Sequence, residues 1–311
     1  MQRLNQLNNH FVDSQSDVWV LKNIVPHEFK KLGDLKGKTL FITGASRGVG
    51  LAIGLRAARD GANVAIAAKT VTPNPKLEGT IYTAAEEIEK AGGKCLPISC
   101  DIRDEKSVRD ALEQTAKHFG GIDIIVNNAS ALYLNKVEET DMKRFDLGMS
   151  VNTRGTFLVS KLAIPYLRKS KNAHILTISP PLSEIQNPIN WFAAQGTGYV
   201  TSKFAMSMIT HGLSGDLKKD GIACNTLWPR TMVASAAVKN LLGGEASIKK
   251  SRSPEIIAEA AHIIFTSDSK TTTGKNYIDD EVVASVHGPD MTKYRINKEG
   301  REIDLFADFL V

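Results

Sequence analysis

At 311 residues, with 42% hydrophobic and 23% charged side chains, the chain is long enough to bury a core without staples. Its 39 lysines and arginines against 34 acids leave a net charge of +5, and the basic residues are scattered rather than gathered in a block, which argues against a nucleic-acid partner. No apolar run reaches the roughly 18 residues that a spanning helix needs, and Cys95, Cys100 and Cys224 lack metal-ligand spacing, so no membrane span, metal site or disulfide framework is expected.

Residues 1–36 form an extension of mixed polarity with apolar clusters at Val18-Trp19-Val20-Leu21 and Ile24-Val25, read as an arm laid on the domain or on a partner subunit. Arg3 with Leu4, Leu7 and Phe11 is a weak transit-peptide pattern, which Asp13 and Asp17 oppose. The expected location is cytoplasmic, with the mitochondrion as the alternative. From Lys38 onward, Thr39–Ile42 is a short apolar run, followed by a glycine-rich turn, by Leu51–Arg59 at helical spacing and by Asn63–Ala68. Further strand candidates are Lys94–Ile98, Ile122–Val126, His174–Ile178, Ile222–Leu227 and Asn276–Ile278. Strands alternating with helices read as βαβ units, so the expected fold class is α/β, a doubly wound parallel sheet of the Rossmann type. One domain is expected over residues 37–283, with 284–311 as a tail, and its ligand would lie outside the carboxyl ends of the strands.

The turn Thr43-Gly44-Ala45-Ser46-Arg47-Gly48-Val49-Gly50 joins the first strand to the first helix. There Gly44 permits a tight turn, Gly48 lets backbone approach a pyrophosphate, Gly50 allows close helix packing, and the helix N-terminus favours the anion. The next strand ends in Ala67-Ala68-Lys69-Thr70 with no acid to accept ribose hydroxyls, while Lys69 and Arg47 offer positive charge to a 2′-phosphate. NADP(H) is therefore the expected cofactor. Residues 71–80 form a loop, since Pro73 and Pro75 block helix. Cys100-Asp101-Ile102 and Asn127-Asn128-Ala129-Ser130 end the third and fourth strands at the edge where an adenosine would lie, Asn127 being as able to cap loose backbone as to bind ligand. The expected cofactor contacts here are Gly44, Ser46, Arg47, Gly48, Val49, Gly50, Lys69, Asp101 and Asn128.

Tyr199 and Lys203 stand four residues apart at the start of an apolar run, about one helical turn, so both side chains would face one side. A phenol there can exchange a proton with a substrate oxygen, and the ammonium beside it would stabilise the phenolate and pull its pKa down. The same spacing recurs at Tyr294 and Lys298, in a polar stretch with no helical apolar face. Only context separates the two copies.

With Thr43-Gly-x-x-x-Gly-x-Gly50, Asn127-Asn128-Ala129, Val151-Asn152-Thr153 and Tyr199-x-x-x-Lys203 in order between about Leu35 and Val283, the chain resembles the short-chain dehydrogenase/reductase family. The resemblance implies an oxidoreductase that moves hydride between NADP(H) and a secondary alcohol or carbonyl. It makes Tyr199 the proton donor or acceptor, adds Tyr199 and Lys203 to the cofactor contacts, with Lys203 on the nicotinamide ribose hydroxyls, and has Asn152 hold a water in a proton relay. The family's fourth residue, a serine orienting the carbonyl, stands second in an Ile-Ser-Ser run; here Ile178-Ser179 is followed by Pro180-Pro181, which leaves Ser179, taken first, and Ser183. An insertion with Asn187, Pro188, Trp191 and Phe192 lengthens the interval to Tyr199, and Pro229-Arg230 stands where the family prefers Pro-Gly. Met232–Gly244 takes the place of a substrate lid, and its apolar content with Trp191 and Phe192 leads to a hydrophobic or lipid-like small-molecule substrate. A homo-oligomer through helices near Phe145–Leu167 and Tyr199–Leu217 is implied. Longer relatives carry a sterol-carrier domain, which is not expected here, and the last residues are not a peroxisomal Ser-Lys-Leu signal. The competing expectation is a nicotinamide-binding sensor or scaffold with weak or no turnover, for which Pro180 is the argument.

Overall fold

The inner apolar runs become strands because both of their faces are covered. β1 (Thr39–Thr43), β2 (Asn63–Ala68), β3 (Lys94–Ser99), β4 (Ile124–Asn127), β5 (Ala173–Ile178), β6 (Ile222–Trp228) and β7 (Asn276–Ile278) form one parallel sheet in the order β3-β2-β1-β4-β5-β6-β7. The computed structural model describes residue 29 and residues 33–74, 77–186 and 196–308. Residues 1–28 and 30–32 of the arm read over 1–36, the Pro75-Lys76 pair and the insertion with Trp191 and Phe192 lie outside the described residues.

The helices between the strands are α1 (Gly48–Ala58), α2 (Ile81–Lys90), α3 (Glu105–Phe119), α4 (Met142–Gly148), α5 (Gly155–Leu167), α6 (Thr197–Asp216), α7 (Ala236–Leu241), α8 (Gly244–Lys249), α9 (Glu255–Thr266) and α10 (Asp279–His287). Alternation along the strands makes two cores: Leu40 and Ile42 join Val64 and Ile66 on one face, whereas Phe41 joins Ala65 and Ala67 on the other. Ile53 of α1, Ile88 of α2 and Ile257 and Ile264 of α9 close the first; Val108 and Leu112 of α3 and Val159 and Ala163 of α5 close the second. This is the doubly wound α/β fold that the alternation of strands and helices requires. Among the described residues no helix is long and apolar enough to cross a membrane.

Local signals set the helix ends. The Asp104 carboxylate accepts from the Lys106 and Ser107 amides at 2.7 and 3.2 Å to start α3, and Gly120, at φ +87°, stops it. Between α4 and α5, Met149–Arg154 winds as a π-helical turn that buries Asn152, a local widening frequent at functional sites. Strand order reverses between β1 and β4, so their carboxyl ends open the crevice in which such folds bind ligands.

Residues beyond α10 lie across the domain. Tyr294 and Met291 are buried, the Ser253 amide donates to the Tyr294 carbonyl at 2.6 Å, and the Met232 amide donates to the Phe306 carbonyl at 2.8 Å. Tyr294 sits in a single 3-10 turn, Thr292–Tyr294, and the Lys298 ammonium donates to the Lys293 carbonyl. That copy of the Tyr/Lys spacing therefore has no helix to bring its two side chains to one side.

Candidate active site

The glycine-rich turn leaves β1 with Gly44 at φ +69°, where an added Cβ would lie 2.8 Å from the Ala129 Cα. Gly50 faces Ala45 and the Asn128 side chain at similarly close range, whereas Gly48, at φ +60°, has nothing within 4 Å of its would-be Cβ. Gly44 and Gly50 are thus required by the protein's own packing, and Gly48 opens onto free space at the N-terminus of α1, where amide groups without helical partners favour an anion. Ser46 is buried beneath the turn and Val49 is half-buried on α1. Asn128 donates its amide to the Thr43 and Gly44 carbonyls at 2.9 and 3.2 Å, so it clamps the turn from below. Asn127 is buried and donates to Ser160 at 2.9 Å.

Both cations expected at the adenosine end have protein partners. Arg47 donates to the carbonyls of Glu78 and Gly79 at 2.7 and 2.5 Å, latching the loop of residues 77–79 over the glycine-rich turn. Lys69 lies 3.5 Å from Asp101, which also takes a two-pronged contact from Arg103, the nearest N–O distance being 2.6 Å. That bonding to Arg103 holds the Asp101 carboxyl well below its ordinary range. Arg103 had no role in the sequence reading; its guanidinium reaches the edge because the turn after β3 folds back on Asp101.

Tyr199 and Lys203 both lie on α6, 5% and 2% exposed. The Lys203 ammonium donates to the Ile178 carbonyl at 2.6 Å and sits 4.9 Å above the Trp228 ring. Burial pulls this ammonium down to about 7, with the Asp308 carboxylate acting in the opposite sense. Burial pushes the Tyr199 phenol up, Asp308 adds to that, and a hydrogen bond with Ser130 opposes it. Burial, Asp308 and Ser130 set the shift of the phenol, and the Lys203 ammonium, expected to lower it, makes its short contact to the Ile178 carbonyl instead. The Tyr133 ring packs edge-on against Tyr199 with centroids 6.2 Å apart, and its hydroxyl occupies the space a Cβ on Gly198 would need.

The serine expected to orient a carbonyl is placed differently. Ser179 is 0% exposed, with its hydroxyl 2.9 Å from that of Ser207, while Ser207 also donates to the Pro180 carbonyl at 2.5 Å. Ser183 is exposed and contacts Glu184. The described hydroxyl on the phenol is that of Ser130, an exposed residue in the loop after β4. Its sequence signal was faint: a serine directly after Asn127-Asn128-Ala129. Asn152 grips the next residue from both sides, accepting from the Ala131 amide at 2.7 Å and donating to the Ala131 carbonyl at 3.2 Å. It also donates to Ser202 at 2.8 Å, and Ser202 donates to the Tyr199 carbonyl at 2.7 Å. Asn152 thereby ties the Ser130 loop to the helix that carries Tyr199.

A model of the short chain dehydrogenase family matches residues 38–244, spanning the turn, Asn152 and the Tyr199/Lys203 pair. The chain belongs to the short-chain dehydrogenase/reductase family. It is 52% identical over 265 residues to hydroxysteroid dehydrogenase-like protein 2 of Xenopus laevis and 51% identical over 278 residues to that of Homo sapiens, 85% and 89% of this chain. The chain spans 62% and 65% of the lengths of those two proteins. Among solved structures, a dehydrogenase from Xanthomonas campestris superposes with a TM-score of 0.84 at 48% identity, covering 90% of this chain and 99% of that one. A short chain dehydrogenase from Mycobacterium thermoresistibile gives 0.82 at 47%, covering 89% and 96%. Short-chain dehydrogenases use nicotinamide cofactors and act on small molecules.

In this short-chain dehydrogenase, Arg230 at the Pro-Gly position turns toward α10: its amide donates to Asp279 at 3.0 Å, and its guanidinium pairs with Asp280 at 2.9 Å and with Glu281. The segment in the lid position holds α7, started by Ser235, with Met232, Val233 and Val238 buried. Cavities of about 400 and 240 Å³ are walled by Lys249, Lys250 and Arg301 and by Arg56, Glu259 and Tyr294, and neither is lined by the glycine-rich turn, Asn152, Tyr199 or Lys203. The dinucleotide fits the crevice residues on one observation: Gly48 leaves backbone uncovered at the N-terminus of α1.

Proposed function

We propose that this chain is an NADP(H)-dependent oxidoreductase that interconverts the secondary alcohol and carbonyl forms of a hydrophobic, lipid-like compound. The observation that carries this reading is the buried Tyr199/Lys203 pair with the Ser130 hydroxyl on the phenol. When bound, the nicotinamide supplies or accepts the hydride. The α1 N-terminus with Gly48 would hold the pyrophosphate, and Lys69 the 2′-phosphate, helped by the absence of any acid at the end of β2. Tyr199 gives its proton to the substrate oxygen in reduction and takes one back in oxidation. Lys203 keeps positive charge beside the phenol, which steadies it in the deprotonated state. Ser130 donates a second hydrogen bond at that oxygen, and Asn152 holds the Ser130 loop in place through Ala131.

A hydrophobic substrate agrees with Leu132, Leu134 and Leu182, half-buried in the loops after β4 and β5, and with the relatives' designation as hydroxysteroid dehydrogenase-like. Phe157 on α5 and Met208 on α6, 51% and 62% exposed, support a homo-oligomer formed through these helices. The deciding experiment follows NADPH consumption over a panel of hydrophobic ketones. Tyr199→Phe is expected to lower turnover at least about a hundredfold with NADPH affinity nearly unchanged, and Tyr294→Phe to change neither. NADPH binding without turnover of any carbonyl in the panel, or equal behaviour of the two tyrosine variants, sinks the proposal.

A further inference from the structure

The chain's C-terminal segment runs antiparallel to the loop after β6. The Met232 amide donates to the Phe306 carbonyl at 2.8 Å, the Asp308 amide donates to the Arg230 carbonyl at 2.9 Å, and Thr231 pairs with Ala307 between them. This pairing sets Asp308 inside the molecule, 8% exposed, where its Oδ1 accepts from the Trp228 indole N–H at 2.7 Å. The opposite partner of that indole is Lys203, whose ammonium lies 4.9 Å from the ring centroid. An ammonium, an indole and a carboxylate are thus joined within one buried cluster, with the carboxylate delivered from 80 residues further along the chain than the indole.

A buried ammonium whose close contacts are a neutral carbonyl and an indole face needs a negative charge nearby to stay protonated, and a buried carboxylate needs a positive one. The two arginines nearby have carboxylates of their own. Arg230, on the loop after β6, pairs with Asp280 and Glu281; Arg252 pairs with Asp280 and Glu302; and Asp279 on α10, pushed up by burial, accepts from backbone amides.

We infer that Asp308 is a positioning residue for the Tyr199/Lys203 pair, orienting the Trp228 indole beneath Lys203 and supplying the negative charge that keeps Lys203 an ammonium. This rests on the oxidoreductase reading above for its catalytic consequence, though not for its physical content. Asp308 acts on both members of the pair in one direction, raising the proton affinity of Lys203 and of Tyr199. Its loss moves both titrations toward lower pH, so the whole pH profile of turnover shifts to the acid side rather than merely falling.

The test is a titration of the full chain, without cofactor, by carbon-13 NMR of ε-labelled lysine, with the Lys203 signal assigned by its disappearance in Lys203→Met. Asp308→Asn keeps an acceptor for the indole and removes the charge; Asp308→Glu restores the charge. The Lys203 midpoint is expected to fall by about one pH unit in Asp308→Asn and to return toward that of the unmodified protein in Asp308→Glu. In turnover, Asp308→Asn should lower kcat about tenfold above the midpoint with KM unchanged. Asp308→Ser, which also removes the charge and leaves a small hydroxyl acceptor, should shift the Lys203 midpoint in the same sense and gives the answer if Asp308→Asn does not fold. An unchanged midpoint in a folded Asp308→Asn, or in Asp308→Ser if Asp308→Asn does not fold, overturns the inference. Because the titration needs no turnover, a protein that reduces no carbonyl yet shows the shift keeps Asp308 in this role and removes only the oxidoreductase reading.

Discussion

A phenol that is 5% exposed and raised by burial keeps its proton at neutral pH, so its usefulness as an acid depends on groups that stabilise the phenolate as it forms. In the proposed reaction Lys203 would contribute charge and Ser130 a hydrogen bond. Ser179, by contrast, has its hydroxyl committed to Ser207 inside the core, and Pro180 cannot donate at all. These placements predict an order of mutant effects. Ser130→Ala should lower kcat by about two orders of magnitude, the scale of losing one donor at a developing oxyanion. Ser179→Ala should leave kcat nearly unchanged and lower thermal stability instead, since the Ser207 hydroxyl loses a buried partner. Steady-state rates of both variants on one accepted ketone check this, and the reverse order would return the donor role to Ser179.

At the level of elements, the loop of residues 77–79 and the glycine-rich turn act as one unit because Arg47 binds two carbonyls of the former, while Lys69 stands apart at the end of β2 against Asp101. Arg47→Ala should therefore weaken NADPH and NADH together by loosening the latch. Lys69→Ala should weaken NADPH alone, about tenfold, by removing one charge-assisted contact to a 2′-phosphate. Fluorescence titration of both nucleotides against both variants separates the two effects, and equal losses from Lys69→Ala would refute a phosphate at that position. The described strands, the glycine-rich turn and the helix that carries both Tyr199 and Lys203 were legible in the sequence, since each is written in consecutive residues whose periodicity or spacing has a direct structural cause. Ser130, the double grip of Asn152 on Ala131 and the indole contact of Asp308 were not, because each depends on two segments that meet only after the sheet has formed. Arg47 was read as a cation offered to a 2′-phosphate, and the carbonyls it binds come from a loop whose course no local pattern fixed.

On the scale of the whole molecule, two features reach beyond the site. Phe157 and Met208 leave apolar surface on neighbouring helices, and Phe157→Lys with Met208→Lys should lower the mass measured by light scattering while circular dichroism stays unchanged; a native chain that is already monomeric would end that reading. The second feature is His174 on β5, fully enclosed beside Phe265, with neither ring nitrogen in a hydrogen bond of good geometry among the described residues. Burial lowers its pKa to about 4, against about 6.5 in an unfolded chain. Between those values the unfolded state binds the extra proton, so stability is full above the unfolded value and is lost as pH falls toward the folded one, by an amount approaching ~3 kcal/mol. Asp279, pushed up by burial and by Asp280, works in the opposite sense over an overlapping range, so the melting curve of the unmodified protein reports only a sum. Subtracting the pH dependence of His174→Leu isolates the imidazole: the variant should lose less melting temperature than the native chain on acidification below neutral pH, and the two should run parallel above it. Parallel curves throughout the acid range would mean that His174 finds a partner when protonated and that its enclosure does not govern the acid limit of the fold.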